Sequence, residues 1–316
     1  MSYAQYGTIQ ASDYNGFVGA SPGATANTLN AVWSIGSAAS GYGQTAEANV
    51  AVGDTVTAAK WANLITKTAN SASHQSSSIT SVTAPSAGNT ITYNANVVTN
   101  LQTIYTNRLN AVSQSGTTAN TATYGSTWIN AVTFTHTVTF ANGDATRYFF
   151  NSGGQLAITC THPNGTGINL LLNGLASNVG TVVLSAPTSG TVTVTGTSYN
   201  GVTKIGGGGS TPTISTNSGY YAWTTANANV FYQTASTGPA GYLSTNINIF
   251  VKTNGTVGSN GDKGNIVTIY TVWDEIPNGL TVTTGSATTV TVRPPETTYL
   301  SNTWGSISIA GTSSGS

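Results

Sequence analysis

From about Thr121 onward the chain places apolar residues at every second position, and that period commits most of its length to β-structure. Trp128, Val132, Phe134, Val138 and Phe140 alternate with Thr133, Thr135, Thr137 and Thr139, the pattern of a strand with one face on a core. Asn142-Gly143 follows, a strong hairpin signal, so Arg147-Tyr148-Phe149-Phe150 is expected as the aromatic return strand. Further strands are expected over 154–160, 180–185, 190–195, 220–223, 229–233, 247–252, 266–273, 280–284 and 288–293, each bounded by Gly, Pro or Asn. Asn260-Gly261 would turn 247–252 into 266–273 as a long hairpin. Many short strands at this spacing point to a mainly β chain with an antiparallel β-sandwich of jelly-roll type. There is no fixed-period repeat, which disfavours a β-helix or coiled-coil shaft.

The first third has a different period. After Thr57, a fair N-cap, Ala58, Trp61, Leu64, Ile65, Thr68 and Ala72 recur on one helical face, and the helix should end near Ser73-His74. A second helix is expected from Val97 to Val112, with Asn96 as its cap and Val97, Leu101, Ile104, Tyr105 and Val112 as its stripe. Shorter helices are expected from Ser12 or Asp13 and near Leu29 to Trp33, and strand-like pieces over 79–82 and 90–93. The expected division is therefore a mixed, helix-containing assembly region over 1–122, a β-sandwich over 123–300 and a Ser/Gly-rich tail over 301–316. Trp61, Leu64, Ile65, Leu101, Ile104 and Tyr105 are the residues expected to hold the first region together.

Charge bounds the class of function. Only 16 of 316 residues are charged, eight of each sign, against roughly a quarter in an ordinary soluble domain. Ser, Thr, Asn, Gly and Ala take the place of Lys and Glu, and hydroxyls and amides cost less than ions to bury at an interface. Copies with net charge zero hardly repel one another, so the chain is expected to be one subunit of an assembly. Eight scattered basic residues make no stripe for phosphate, so nucleic acid is not an expected partner. The opening residues show no secretory signal, and no stretch reaches the roughly 20 apolar residues of a membrane span. Neither a membrane nor export is therefore expected. One Cys excludes an intrachain disulfide, and Cys160, ending an apolar run, is expected as a buried inert thiol. With one Met and three His, no metal or other cofactor is expected.

Several segments carry a resemblance. Ser12-Asp13-Tyr14-Asn15, Asn27-Thr28-Leu29-Asn30-Ala31-Val32-Trp33, Gly41-Tyr42-Gly43-Gln44, the run 56–65, Thr106-Asn107-Arg108-Leu109-Asn110 and the run 147–155 resemble virion structural proteins of tailed bacteriophages, of the appendage or tail-fibre-like kind found in marine and environmental phages. The resemblance spans most of the chain and brings no catalytic residue. It implies a particle component of the tail, neck or another appendage, located in the virion, with other virion proteins and sister copies as partners. Trimerisation is implied by that likeness alone.

Candidate chemistry is sparse. Asp274-Glu275 is the only adjacent acidic pair, but glycoside hydrolysis needs two carboxylates facing each other about 5–10 Å apart, and neighbours on a strand point to opposite faces. Asp262 lies in a Gly/Asn turn lacking the further acidic ligands of an EF-hand loop, and Gly206 to Gly209 lack the Gly-Lys-Ser/Thr ending of a P-loop. His136, with Arg147 expected near it across the hairpin, has no nucleophile elbow to serve and is read as structural. Tyr221, Trp223 and Tyr232 fall close together in an Asn-rich stretch and are candidate glycan contacts. Trp61, Trp128 and Trp273 lie on apolar periods and are assigned to core or interface. Three functions stay open: a non-enzymatic structural subunit acting through subunit packing, a receptor-binding or carbohydrate-adhesion module, and a carboxylate-using hydrolase.

Overall fold

The computed structural model describes residues 9–51, 53–89, 91–92, 94–238, 241–277 and 279–315. It is mainly β, with six α-helices among the described residues and antiparallel sheets that do not close. Four helices lie in the first third: α1 (Ala11–Val18), α2 (Leu29–Val32), α3 (Ala58–His74) and α4 (Asn96–Thr106). Helix α3 has the expected bounds, and the Thr57 hydroxyl accepts from Lys60 N at 3.3 Å as its cap. Its buried face of Trp61, Leu64 and Ala72 packs with Tyr14, Phe17, Leu29, Val32, Leu101 and Ile104 into one cluster. Helix α4 stops six residues short of Val112. At its end Arg108 turns aside to donate from Nε to Ala39 O (2.7 Å) and from Nη1 back to Tyr105 O (2.7 Å), with its guanidinium over the Tyr105 ring. Residues 79–82 form no strand, and of the expected piece over 90–93, Thr90 and Tyr93 lie outside the described residues.

The irregular segments between these helices are tied by side-chain amides. Asn15 donates to Val50 O and accepts from Val50 N, both at 2.8 Å. Asn30 does the same with Glu47, Asn100 with Thr80 and Gln44 with Ser301. A side-chain amide holds N–H donors beside an acceptor oxygen, the complement of a peptide group, so each clamp satisfies backbone that has no ladder of its own. This is one structural use of the Asn-rich composition.

The β body has a five-stranded sheet, ordered β1 (Thr118–Thr123), β12 (Ala287–Arg293), β3 (Gln155–Thr161), β4 (Thr181–Leu184) and β7 (Val202–Ile205). A six-stranded sheet is ordered β13 (Ser308–Gly315), β2 (Ala131–Thr139), β11 (Ile266–Asp274), β10 (Asn246–Thr253), β9 (Ala228–Thr234) and β8 (Thr213–Ile214). Inward rows of both, including Phe134, Val138, Ile249, Ile269, Ile158, Val182 and Val290, share one core. Strands β10 and β11 form the expected long hairpin. A small hairpin, β5 (Val192–Val194) with β6 (Thr197–Tyr199), turns at Thr195-Gly196, both at positive φ as a two-residue hairpin requires.

Four expectations are corrected. The sequence after Asn142 is not a return strand but helix α5 (Gly143–Asn151). Asn142 acts as an N-cap, its side chain accepting from Ala145 N at 2.8 Å, and the consecutive Phe149, Phe150 and Asn151 are all fully buried, which no alternating strand achieves. Of the expected strand over 220–223, Tyr220–Ala222 form a 3-10 turn, and 280–284 contribute only the isolated bridge of Val282 to Trp128. Helix α6 (Ile168–Val179) was not expected; it buries Ile168, Leu171, Leu172, Leu175, Ala176 and Val179. Beyond residue 300 the Ser/Gly-rich sequence supplies β13.

Trp61 is 2% exposed and its ring meets Phe17 edge-on at 5.9 Å. Trp61→Ala should lower the unfolding free energy by about 3–5 kcal/mol in a denaturant titration.

Candidate functional site

Helix α5 carries a dense polar site. Its first turn holds Asp144, which accepts from Arg147 Nε (3.0 Å) and from Asn260 Nδ2 (2.9 Å). Arg147, with no exposed surface, turns its fork onto the segment 35–41: Nη2 donates to Ile35 O (2.9 Å), and Nη1 to Ala38 O (3.0 Å) and Ser40 O (3.1 Å). One turn on, Asn151 Nδ2 reaches Ala38 O, Ser40 O and Gly41 O at 2.9–3.1 Å. Tyr221 Oη completes the group, 2.6 Å from Ala38 O and 2.8 Å from Asn151 Oδ1. The segment can present so many carbonyls to one side because Ala38 and Gly41 have positive φ; a side chain at Gly41 would collide with the Ile35 carbonyl. Arg108 holds the same segment from the helical side through Ala39 O. The site is thus a junction between the N-terminal region and the β body.

Around it the aromatics form a plug. Phe150 stacks on Tyr220 at 4.6 Å and 13°, and Trp223 meets both rings edge-on. Tyr220 Oη donates to Gly264 O and accepts from Lys263 N, both at 2.9 Å. The Asp262 carboxylate accepts from Val257, Gly258 and Gly264 N–H groups at 2.8–3.0 Å, which shapes the β10–β11 loop. Gly143 is required there, since a side chain would press into that carboxylate.

The candidate glycan contacts are not brought together. Trp223 is 1% exposed and donates from Nε1 to Ser218 O, so neither ring face is available to a sugar. Tyr221 is engaged at the junction, and Tyr232 lies half-buried on β9 opposite Asn248. All six Trp are buried within the chain, including Trp61, Trp128 and Trp273, which places them in the core. Of the residues expected to hold the N-terminal region, Trp61, Leu64, Leu101 and Ile104 are buried in its cluster, while Ile65 and Tyr105 pack on it half-buried. Asp274 and Glu275 diverge: Glu275 is fully buried, and Asp274 is half-buried, its carboxyl raised by burial and eased by Asn248. His136 lies under β13 against Gly311, and Arg147 turns instead to the junction. Burial pushes the Cys160 thiol up to about 12, so it is protonated and unreactive at neutral pH. No group of three or more His, Cys, Asp or Glu that could hold a metal occurs among the described residues. Sequence reasoning missed the junction, although Asn142-Gly-Asp-Ala reads as a cap followed by an acidic first turn.

Compared with models of known protein families, with curated proteins and with solved structures, the chain finds no match.

Removing the guanidinium leaves Asp144 and three carbonyls short of a donor. Arg147→Ala should cost about 3–5 kcal/mol by urea denaturation, and Arg147→Lys should recover only part of it, because an ammonium cannot reproduce the fork. A second outcome concerns acid. His74 is buried, which holds its imidazole down at about 4 even though Nε2 bonds Ser152 O. Burial also lowers His136 and His162. Below the unfolded value near 6.5 the unfolded chain binds more protons than the folded one. Stability is therefore complete above about pH 6.5 and falls toward pH 4, by about 3 kcal/mol for His74 alone. Unfolding free energies measured from pH 7.5 to 4 should show that slope, and His74→Gln should flatten it.

Proposed function

We propose that this chain is a non-enzymatic structural subunit of a phage particle, in its tail, neck or another appendage, and that it acts through packing against sister copies and other virion proteins. The phage assignment rests on the sequence resemblance. The subunit role is carried by one observation, the scarcity of charge on the surface. Of the sixteen charged side chains, Asp13, Glu47, Arg147, Asp262 and Glu275 are buried. Seven basic and four acidic residues remain over 12826 Å², about one per 1,200 Å². A field so weak neither repels copies nor attracts a polyelectrolyte. The polar part of this surface is mostly uncharged hydroxyl and amide, which a neighbour can bury at lower desolvation cost than ions.

We also take the β body to be a relative of the jelly roll: β1 with β12 and β2 with β11 make two nested antiparallel pairs, while β3 departs from that order by pairing with β12 and β4. Such bodies serve as rigid building blocks in particles. The described residues contain no helix long and apolar enough to cross a membrane.

Size-exclusion chromatography with light scattering should show the purified chain as a defined oligomer or polymer at micromolar concentration. Particles made without it should lack one visible appendage. A chain that stays monomeric at every concentration overturns the subunit role, and intact particles without it overturn its place in the virion.

A further inference from the structure

We infer that the outer edge of β13 is a docking surface for a second copy of this chain, which pairs strand to strand there and extends the six-stranded sheet. The inference rests on the subunit role and names the surface that performs it. Strand β13 is terminal in its sheet: all eight residues pair with β2, from Ser308 opposite Thr139 to Gly315 opposite Val132, and its other edge has no ladder partner among the described residues. The other terminal strands of the two large sheets are each shorter than β13 and less open. Strand β8 has two residues, and β7 has four and carries Lys204. Strand β1 has six residues and gives up its Thr123 carbonyl to Ser313 Oγ of β13 at 3.0 Å.

Exposed strand edges are ordinarily guarded by charge, proline, a bulge or a cover. β13 has no charge, proline or bulge, and its contact with β1 is made by the inward row of Gly311 and Ser313, not along its outer edge. Its sequence, Ser-Ile-Ala-Gly-Thr-Ser-Ser-Gly, contains no charged residue and no proline, and its register with β2 runs unbroken. The outward row of Ser308, Ala310, Thr312 and Ser314 is exposed and small, so no bulky side chain holds a neighbour away. The occupant is another copy because this edge is complementary to itself. An antiparallel, two-fold pairing sets like against like, hydroxyl opposite hydroxyl with no charge opposed. The edge carries no charged or bulky side chain by which to select a different peptide.

The test uses the full chain in three forms, by light scattering across concentration and by hydrogen exchange. One variant, Ala310→Lys, Thr312→Lys and Ser314→Lys, sets like charges opposite one another in the pairing. A control, Thr211→Lys, Thr213→Lys and Thr216→Lys, adds the same charge at exposed positions beside β8. The expected result is that wild type and control assemble alike, while the β13 variant keeps its melting temperature and associates about tenfold or more weakly. In wild type, amides of β13 that face away from β2 should exchange slowly when assembled and fast when dilute; this holds as a test even if the variant fails to fold. A folded β13 variant that assembles like wild type, or outer amides that never slow, overturns the edge and leaves the subunit role standing. A control that dissociates as much as the β13 variant also overturns it, pointing to charge scarcity at large. A monomeric wild type overturns both.

Discussion

The guanidinium of Arg147 is the point on which the two halves of the molecule meet. It is buried, paired with Asp144, and satisfied by three carbonyls of a segment that has no ladder to satisfy them otherwise. A buried ion is tolerated only when its donors are used, and here every direction of the fork finds an acceptor. The consequence runs both ways. The segment 35–41 takes its shape from the carbonyls it must present, and α5 is fixed in the body because its arginine must reach them. Asn151 and Tyr221 repeat the same acceptors from neighbouring positions, so the junction acts as a network rather than a single pair.

Interior and exterior are built on different rules. The interior takes the aromatics: six Trp and the Phe140, Phe149, Phe150, Tyr220 group are enclosed in one chain. The aromatics left at the surface are mostly tyrosines, such as Tyr232, Tyr242, Tyr270 and Tyr299. The outside is mostly uncharged, with small polar side chains and scattered apolar ones such as Leu170, Leu243 and Val257.

Legibility in the sequence followed the strength of the local pattern. Helix α3 was bounded to the residue because cap, stripe and Ser-rich exit agree. Strands β2, β10, β11 and β12 were legible for the same reason, their alternate Val, Ile, Phe and Trp marking one face. The residues after Asn142 went wrong because Asn-Gly serves equally as a turn and as a helix start; what decides is whether the following aromatics alternate, and Phe149-Phe150 do not. Helix α6 had a helical stripe in Ile168, Leu171, Leu172, Leu175 and Val179, hidden by Gly174 and by Gly at both ends. The glycan trio looked contiguous in sequence, but a single 3-10 turn sends Trp223 inward. The junction was not legible at all, since its carbonyls come from residues more than a hundred positions before Arg147.

The amide clamps have a consequence of their own. Asn15, Asn30, Asn100 and Gln44 do between loops what ion pairs do in many proteins, and they do it with dipoles. Counter-ions in the medium screen monopoles over a Debye length and leave such short-range neutral pairs nearly untouched. A chain held this way keeps its shape from fresh water to brine, because there is little in it for dissolved electrolyte to weaken.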